Sequence, residues 1–520
     1  MLFDRTFHPD EANQAFTTGR LLETGSYTYK PQDHHGPTLY YAAAVLQRSA
    51  GNASTAALDG TLLRCTPLVF AVLAIILGAA ALKRITGRLT PGAILAALLG
   101  TAPMFAFFAT DFIQETLLVC FLMMMFWAGA GYLRPGPKWK TGTWALMFGT
   151  ASGLAFATKE TCLLSFVAAA IAALPFLARR GVIDKIRERV CVRDAIMVAG
   201  GFALTAVILY SDFGRNFQGV YNAFVAAPLS YLHRGVGDAT TSTGANWHVH
   251  PWWWYASILF GGNSMYSLAA IALAALAAAH ALVRGAGRAT RFVFLYAFAL
   301  FAIHSILPYK TPWCMLPVVS ALALAASLGI ADVMGRKHHL FILAALFAII
   351  VCDTQLTACV QMGRNPDATD IPYNYAAASP EVKELAAIVA SAMTSSTNHE
   401  PLTTNHKPRT TNHEPRITNH EPRITNHEPP FIAVALPAAD TWPFPWYNRQ
   451  WEPNTGYWTS FDDLKRLAET GIKPTVVIVP MEEGHLVQPL FPHLKHTKRF
   501  YMRPRIPERS VRGVRVRVFW

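Results

Sequence analysis

The sequence predicts a polytopic α-helical membrane protein that ends in a small α/β domain. Three observations predict it. Of the 520 residues, 52% are hydrophobic and only 15% charged, where soluble domains carry about 25% charge. Apolar runs that span, or nearly span, a bilayer recur ten times. The stretches between those runs alternate in charge, basic after every second one.

Taken in order, residues 1–36 are polar and contain no signal peptide. A shorter amphipathic stretch at 37–50, PTLYYAAAVLQRSA, is expected at the membrane interface. The apolar runs lie at 62–82, 91–109, 112–133, 143–158, 161–178, 194–211, 264–283, 292–308, 313–333 and 339–359. The basic connections are KRITGR (83–88), RPGPKWK (134–140), RRGVIDKIRERVCVR (179–193), RGAGRATR (284–291) and GRKHH (335–339). The others hold TDFIQE (110–115), TKE (158–160), an aromatic loop at 212–263 and PYKTP (308–312). Basic loops face the cytoplasm. This rule places residues 1–61 and the tail from 360 outside it. An amino terminus on that side needs a helix ahead of it, so one upstream span is expected to be missing from the chain.

The core therefore reads as 62–359 and the exported tail as 360–520. In the tail, SPEVKELAAIVASAM (379–393) opens on a Ser cap, and FDDLKRLAETG (461–471) is a helix closed by Gly471. FIAVAL (431–436) and PTVVIVP (474–480) read as buried strands, and VRGVRVRVFW (511–520) as a half-exposed one. Between them, 397–430 carries a seven-residue repeat of the TNHEPRI type. A proline in each repeat forbids a coiled coil, and the segment reads as a disordered insertion.

Composition also narrows the chemistry. The net charge of +13 is spread over loops and tail and not gathered on one motif, which argues against nucleic acid. The seven cysteines include no C-x-x-C pair and read as small packing residues. His248 and His250 lack a placed carboxylate, so no metal site is assigned, although a divalent metal stays open. No other cofactor is implied.

The ionisable residues collect on the non-cytoplasmic side: Asp10, Glu11, His35, Asp111, Glu115, Lys159, Glu160 and Lys310. Charges at membrane depth are costly and usually face a polar cavity. Each has a plain structural reading. Asp10 and Glu11 suit a helix cap, as do Asp111 and Glu115, while Lys159 and Glu160 suit an ion pair. Trp252 and its aromatic neighbours suit the membrane interface. Together, carboxylates and lysines at one membrane surface suit a reaction on a lipid-linked phosphate.

Several stretches resemble known proteins. They are FHPDEANQAFTTGRLLETGSYTY (7–29), HHGPTLYY (34–41), FATKETCLL (156–164), HPWWWY (250–255), LPYKTPWCMLP (307–317) and DTWPFPWYNRQW (440–451). In combination the sequence resembles the GT-C integral-membrane glycosyltransferases of the protein-O-mannosyltransferase-like and aminoarabinose-transferase-like clan. Within it, the sequence looks most like the "flippase activity-associated protein" family. One departure is the TDFIQE turn, which has Asp111 and Gln114 where the family often carries arginine.

The resemblance implies an inverting transfer of a sugar from a polyprenyl-phosphate donor to a glycan, lipid or protein acceptor. It implies Asp10 as the base, with Glu11 beside it, and Lys159 and Lys310 on the donor phosphate. His35, Asp111, Glu115, Glu160, His250 and Trp252 would line the site. The expected location is an inner or plasma membrane, with the carboxyl-terminal domain extracytoplasmic. The alternative is a component of lipid-linked sugar flipping without transferase activity of its own.

Overall fold

The computed structural model describes residues 5–31, 35–134, 137–177, 191–229, 248–260, 287–333, 378–396, 430–503 and 514–520. The expected spans 264–283 and 339–359, the heptapeptide repeat and much of the 212–263 loop lie outside these residues. The chain divides into two compact units: Thr17–Tyr375 with Met1–Phe3, and Ala376–Trp520 with Asp4–Phe16.

Most of the first unit is helical. Helix α1 (Pro9–Thr24) is divided between the units and is followed by α2 (Thr38–Ser49). Helix α3 (Gly60–Thr86) shows how sequence sets length. Asp59 caps its start by accepting from the Thr61 and Leu62 amides at 2.7 and 3.1 Å. Gly87, at φ 74°, closes it in the left-handed conformation that favours glycine. The 27 residues between rise about 40 Å, more than a bilayer's hydrocarbon thickness.

The run expected at 91–109 is two helices, α4 (Thr90–Thr101) and α5 (Pro103–Phe108). Pro103 cannot donate an amide, and the residue before a proline is pushed out of the helical region, so Ala102 is extended. There follow α6 (Glu115–Leu133), α7 (Lys138–Phe156), α8 (Cys162–Leu177), α9 (Val192–Tyr210), α10 (Trp254–Phe260), α11 (Arg288–Ile306) and α12 (Leu316–Val333). A 3₁₀ turn, Pro312–Met315, leads into α12.

Among the described residues, five segments are long and apolar enough to cross a membrane: α3, α6, α9, α11 and Pro312–Ile330. Large apolar side chains such as Val192, Ile196, Leu204 and Leu174 face outward, where lipid would meet them. The protein is therefore a multi-pass membrane protein. Helices α7 and α9 meet backbone to backbone. A Cβ at Gly149 would stand 2.2 Å from the Val198 carbonyl, so only glycine permits that approach.

The second unit is a five-stranded mixed sheet with helices on both faces. Helix α13 (Glu381–Ser396) precedes β1 (Ile432–Ala435) and β2 (Thr455–Trp458). Helix α14 (Phe461–Glu469) leads to β3 (Val476–Pro480), then β4 (Thr497–Arg503) and β5 (Val514–Phe519). The order is β2-β1-β3-β5-β4, with β1 parallel to β2 and β3, and β5 antiparallel to β3 and β4. Val382, Leu385, Val389 and Met393 of α13 pack on one face of the sheet. Phe461, Leu464 and Leu467 of α14 pack on the other.

The amino-terminal segment belongs to this unit. Phe7 stacks on Trp446 at 4.5 Å, and its amide donates to the Tyr447 hydroxyl at 2.8 Å. Phe16 meets Trp442 edge-on at 5.6 Å. Thus FHPDEANQAF and TWPFPWY, two of the stretches that carry the family resemblance, are packing partners.

Candidate functional site

The acidic pair splits into two roles. Helix α1 begins at Pro9, so Glu11 stands in its first turn, where it accepts from the His8 amide at 3.0 Å. That is the reciprocal half of a capping box. Glu11 is completely buried. Asp10 is turned out, with half of its side chain exposed and, among the described residues, only His8 near its carboxylate, at 3.9 Å.

In the first unit, a polar network begins with a loop fastened at several points. Asp212, Phe213 and Gly214, at the end of α9, all have positive φ (51°, 58° and 88°). This is costly for Asp and Phe and persists only where contacts hold it. Buried Asp212 accepts from Tyr41 at 2.8 Å and from Ser26 at 3.0 Å. Asn216 donates to the Thr28 hydroxyl and Asn222 to the Tyr29 carbonyl, at 3.0 and 2.8 Å. The loop after α1 is thereby fixed, and it delivers Tyr27 and Tyr29 inward.

Residues 35–38 lie against the α7–α8 turn. Gly36 packs so closely that a Cβ would stand 2.2 Å from the Ala157 carbonyl. The Thr38 amide donates to that carbonyl at 3.3 Å, and the Thr38 and Thr158 hydroxyls are 2.8 Å apart. The contact brings His35 Nδ1 to 3.0 Å from Glu160 Oε2, while Tyr29 donates to Glu160 Oε1. Tyr27 donates to the His35 carbonyl at 2.9 Å. Burial alone would push the Glu160 carboxyl up. The His35 imidazole, its hydrogen bond and that of Tyr29 outweigh burial and hold Glu160 below its ordinary range.

Lys159 and Glu160 do not pair with each other. Lys159 reaches across to Glu115 at the start of α6, and both side chains are buried. Burial opposes the Lys159 charge, but Glu115 prevails and the ammonium is held above its ordinary range. Beside Glu115, Gln114 donates to the Tyr40 hydroxyl at 3.2 Å. Asp111 is buried in the same turn.

The third arm is PYKTP. Val249 and Tyr309 form a β-bridge, and the Lys310 amide donates to the His248 carbonyl at 2.7 Å. This joins the aromatic loop to the turn before α12. Lys310 is fully buried, its ammonium donating to the Leu307 carbonyl, and burial pulls it below the usual lysine range. His250 stacks on Trp254 at 4.0 Å and 4°. Burial, with His248 and Lys310 nearby, brings its imidazole down to about 4. Trp252 is 71% exposed.

His304, buried in the last turn of α11, lies within electrostatic reach of both Lys159 and Lys310. Cys314 lies within reach of Lys159 and Glu115. Both lysines thus act on the His304 imidazole. Neither His304 nor Cys314 stood out in the sequence, nor did Tyr29, since a lone His or Cys in an apolar run reads as packing. Chemically, the cluster offers two buried ammonium groups and a histidine beside paired carboxylates, a setting in which an anion's charge is offset away from water.

Apolar spanning helices followed by an α/β unit, with ionisable groups gathered in short inter-helix turns, constitute the GT-C type of membrane fold. Solved structures that share this fold include those of ArnT from Cupriavidus metallidurans. The crystal structure bound to undecaprenyl phosphate matches with TM-score 0.63 and 13% identity, over 99% of this chain and 94% of that one. The apo structure matches with TM-score 0.61 and 13% identity, over 99% and 94%. The Archaeoglobus fulgidus oligosaccharyltransferase complex with Zn and sulfate gives TM-score 0.47 and 13% identity, over 92% of this chain and 65% of that one. No protein-family model matches the chain, and no curated protein sequence matches it.

Proposed function

We propose that the protein is a membrane glycosyltransferase that moves a sugar from a polyprenyl-phosphate-linked donor to an acceptor hydroxyl. The observation that carries this reading is the burial of two lysines, Lys159 and Lys310, in the short turns before α8 and α12, with Lys159 anchored on Glu115. The shared fold with an ArnT crystallised with undecaprenyl phosphate supports the choice of donor.

In this reading Asp10 takes the acceptor proton as the acceptor oxygen bonds to the anomeric carbon. The bond from that carbon to the phosphate oxygen breaks, with inversion. Polyprenyl phosphate leaves with the electron pair, and Lys159 and Lys310 offset its charge. Glu11 fixes the helix start that presents Asp10. His35, Asp111, Glu115 and Glu160 hold the polar wall of the site, and Trp252 and His250 offer faces for the sugar. The reaction belongs to the extracytoplasmic face of an inner or plasma membrane, with 62–359 as core and 360–520 as the exported domain. Placement in the flippase-associated branch is part of the proposal and rests on the stretches quoted above.

The test is incubation of purified full-length protein with labelled polyprenyl-phosphate sugars and candidate acceptors. Wild type is expected to form product, and Asp10→Asn to bind donor without transfer. Wild-type turnover in Asp10→Asn removes Asp10 from the mechanism. Lipid translocation without transfer in reconstituted vesicles replaces this reading with the flipping one.

A further inference from the structure

One end of the helix bundle is strongly basic. Helix α3 ends there with Lys83 and Arg84 and is followed by Arg88. Helix α6 ends there at Arg134, and α7 and α9 begin there with Lys140 and Arg193 in their first turns. Lys83, Arg88 and Lys140 are exposed and need no partner. Buried Asp194 is already occupied, by Arg193 at 2.7 Å and Tyr132 at 3.1 Å.

Arg84 is different. It is half-buried, with its guanidinium carbon 4.3 Å over the Trp144 ring and 5.6 Å from the Trp127 ring. The two indoles stand edge to face, centroids 5.2 Å apart. Gly131 makes room for this arrangement, because a Cβ there would meet Trp144 at 2.5 Å. Among the described residues, no carboxylate pairs with Arg84 and no acceptor takes its N–H groups.

A snorkelling arginine at a helix end carries its head out to water. This one is drawn in between indoles from two other helices. The aromatic faces and the carboxyl end of α3 attract the charge. Neither neutralises it or takes its five N–H donors, and a half-buried cation without a counter-ion is costly. A guanidinium matches the paired oxygens of a phosphodiester. Basic pockets between spanning helices are where lipid headgroups bind, and indoles suit the glycerol and upper acyl region.

We propose that Arg84, Trp127 and Trp144 form a binding site for the phosphodiester headgroup of an anionic phospholipid. The site lies on α3, α6 and α7 and is independent of the transferase reading.

The test is native mass spectrometry of full-length protein from nanodiscs doped with phosphatidylglycerol or phosphatidylcholine. Wild type is expected to retain phosphatidylglycerol preferentially. Arg84→Ala is expected to reduce that retention about five- to tenfold. Arg88→Ala, at an exposed neighbour, is expected to leave it unchanged, and millimolar inorganic phosphate is expected not to displace the lipid. Equal retention of the two lipids, undiminished retention in Arg84→Ala, an equal loss in Arg88→Ala, or displacement by phosphate overturns the proposal. Should Arg84→Ala fail to accumulate, tryptophan quenching of wild type by brominated lipids decides. Stronger quenching by brominated phosphatidylglycerol than by the phosphatidylcholine analogue, diminished in Trp127→Phe, supports the site; equal quenching overturns it.

Discussion

Two acidic regions of this protein treat their carboxylates in opposite ways. In the turns of the first unit, Glu115 is matched to Lys159 and Glu160 to His35 and Tyr29, all with little solvent contact. At the start of α1, Asp10 stands half exposed with no such match among the described residues. Burial explains the difference. A charge taken from water must be paired, and the pair then fixes geometry. A charge left in water needs no such partner, and its geometry is not fixed by one.

The largest expected effect comes from breaking a buried pair. Lys159→Met leaves Glu115 buried and unpaired, and thermal unfolding of the full chain in detergent is expected to show a loss of about 3–5 kcal/mol. Pairing it with Glu115→Leu is expected to restore most of that stability but not transfer. If the double variant regains transfer, Lys159 holds no donor phosphate.

Asp10→Asn is the converse. Transfer is expected to fall about 10²–10⁴-fold, with stability within about 0.5 kcal/mol of wild type. A large drop in unfolding temperature would mean that Asp10 supports structure after all.

Glu160→Gln sharpens the contrast through pH. The Glu160 carboxyl is held below its ordinary range in the folded state. Its contribution is therefore present above the ordinary carboxylate pKa and lost as pH falls through the depressed one. Unfolding temperature against pH is expected to decline more steeply on the acid side in wild type than in Glu160→Gln. Parallel profiles would contradict the pairing.

The smallest effect is in the sheet unit. There, burial pushes half-buried Glu452 up to about 7, opposed by a hydrogen bond from Tyr457 at 3.0 Å. The folded state holds this proton more tightly than the unfolded one, so stability falls as pH rises from the ordinary glutamate range towards 7. Glu452→Gln is expected to flatten that fall, and an unchanged slope would argue that Glu452 is ionised at no cost.

Helix positions were legible because lipid imposes a simple demand: apolar runs with basic flanks mark α3, α6, α9 and α11. The break at Ala102 was not read from the continuous apolar run, although Pro103 marks it locally. Strand β2 was missed because TGYW is too short to show a period, and β4 because its cationic side chains obscure the alternation. In the site, the residue types were legible but not their partners. Lys159 and Glu160 are neighbours in sequence, yet their partners lie 44 and 125 positions away. The contact of residues 35–38 with the α7–α8 turn decides the partner of Glu160, and the approach of the α6 start decides that of Lys159.

The packing of Phe7 with Trp446 and Tyr447 also sets a timetable. The amide of Phe7 finds its acceptor 440 residues downstream. At ordinary translation rates that is a wait of roughly 20–90 s. The segment around Phe7 is therefore made long before the one it packs on, so its aromatic surface must be kept from other partners while the intervening helices are made.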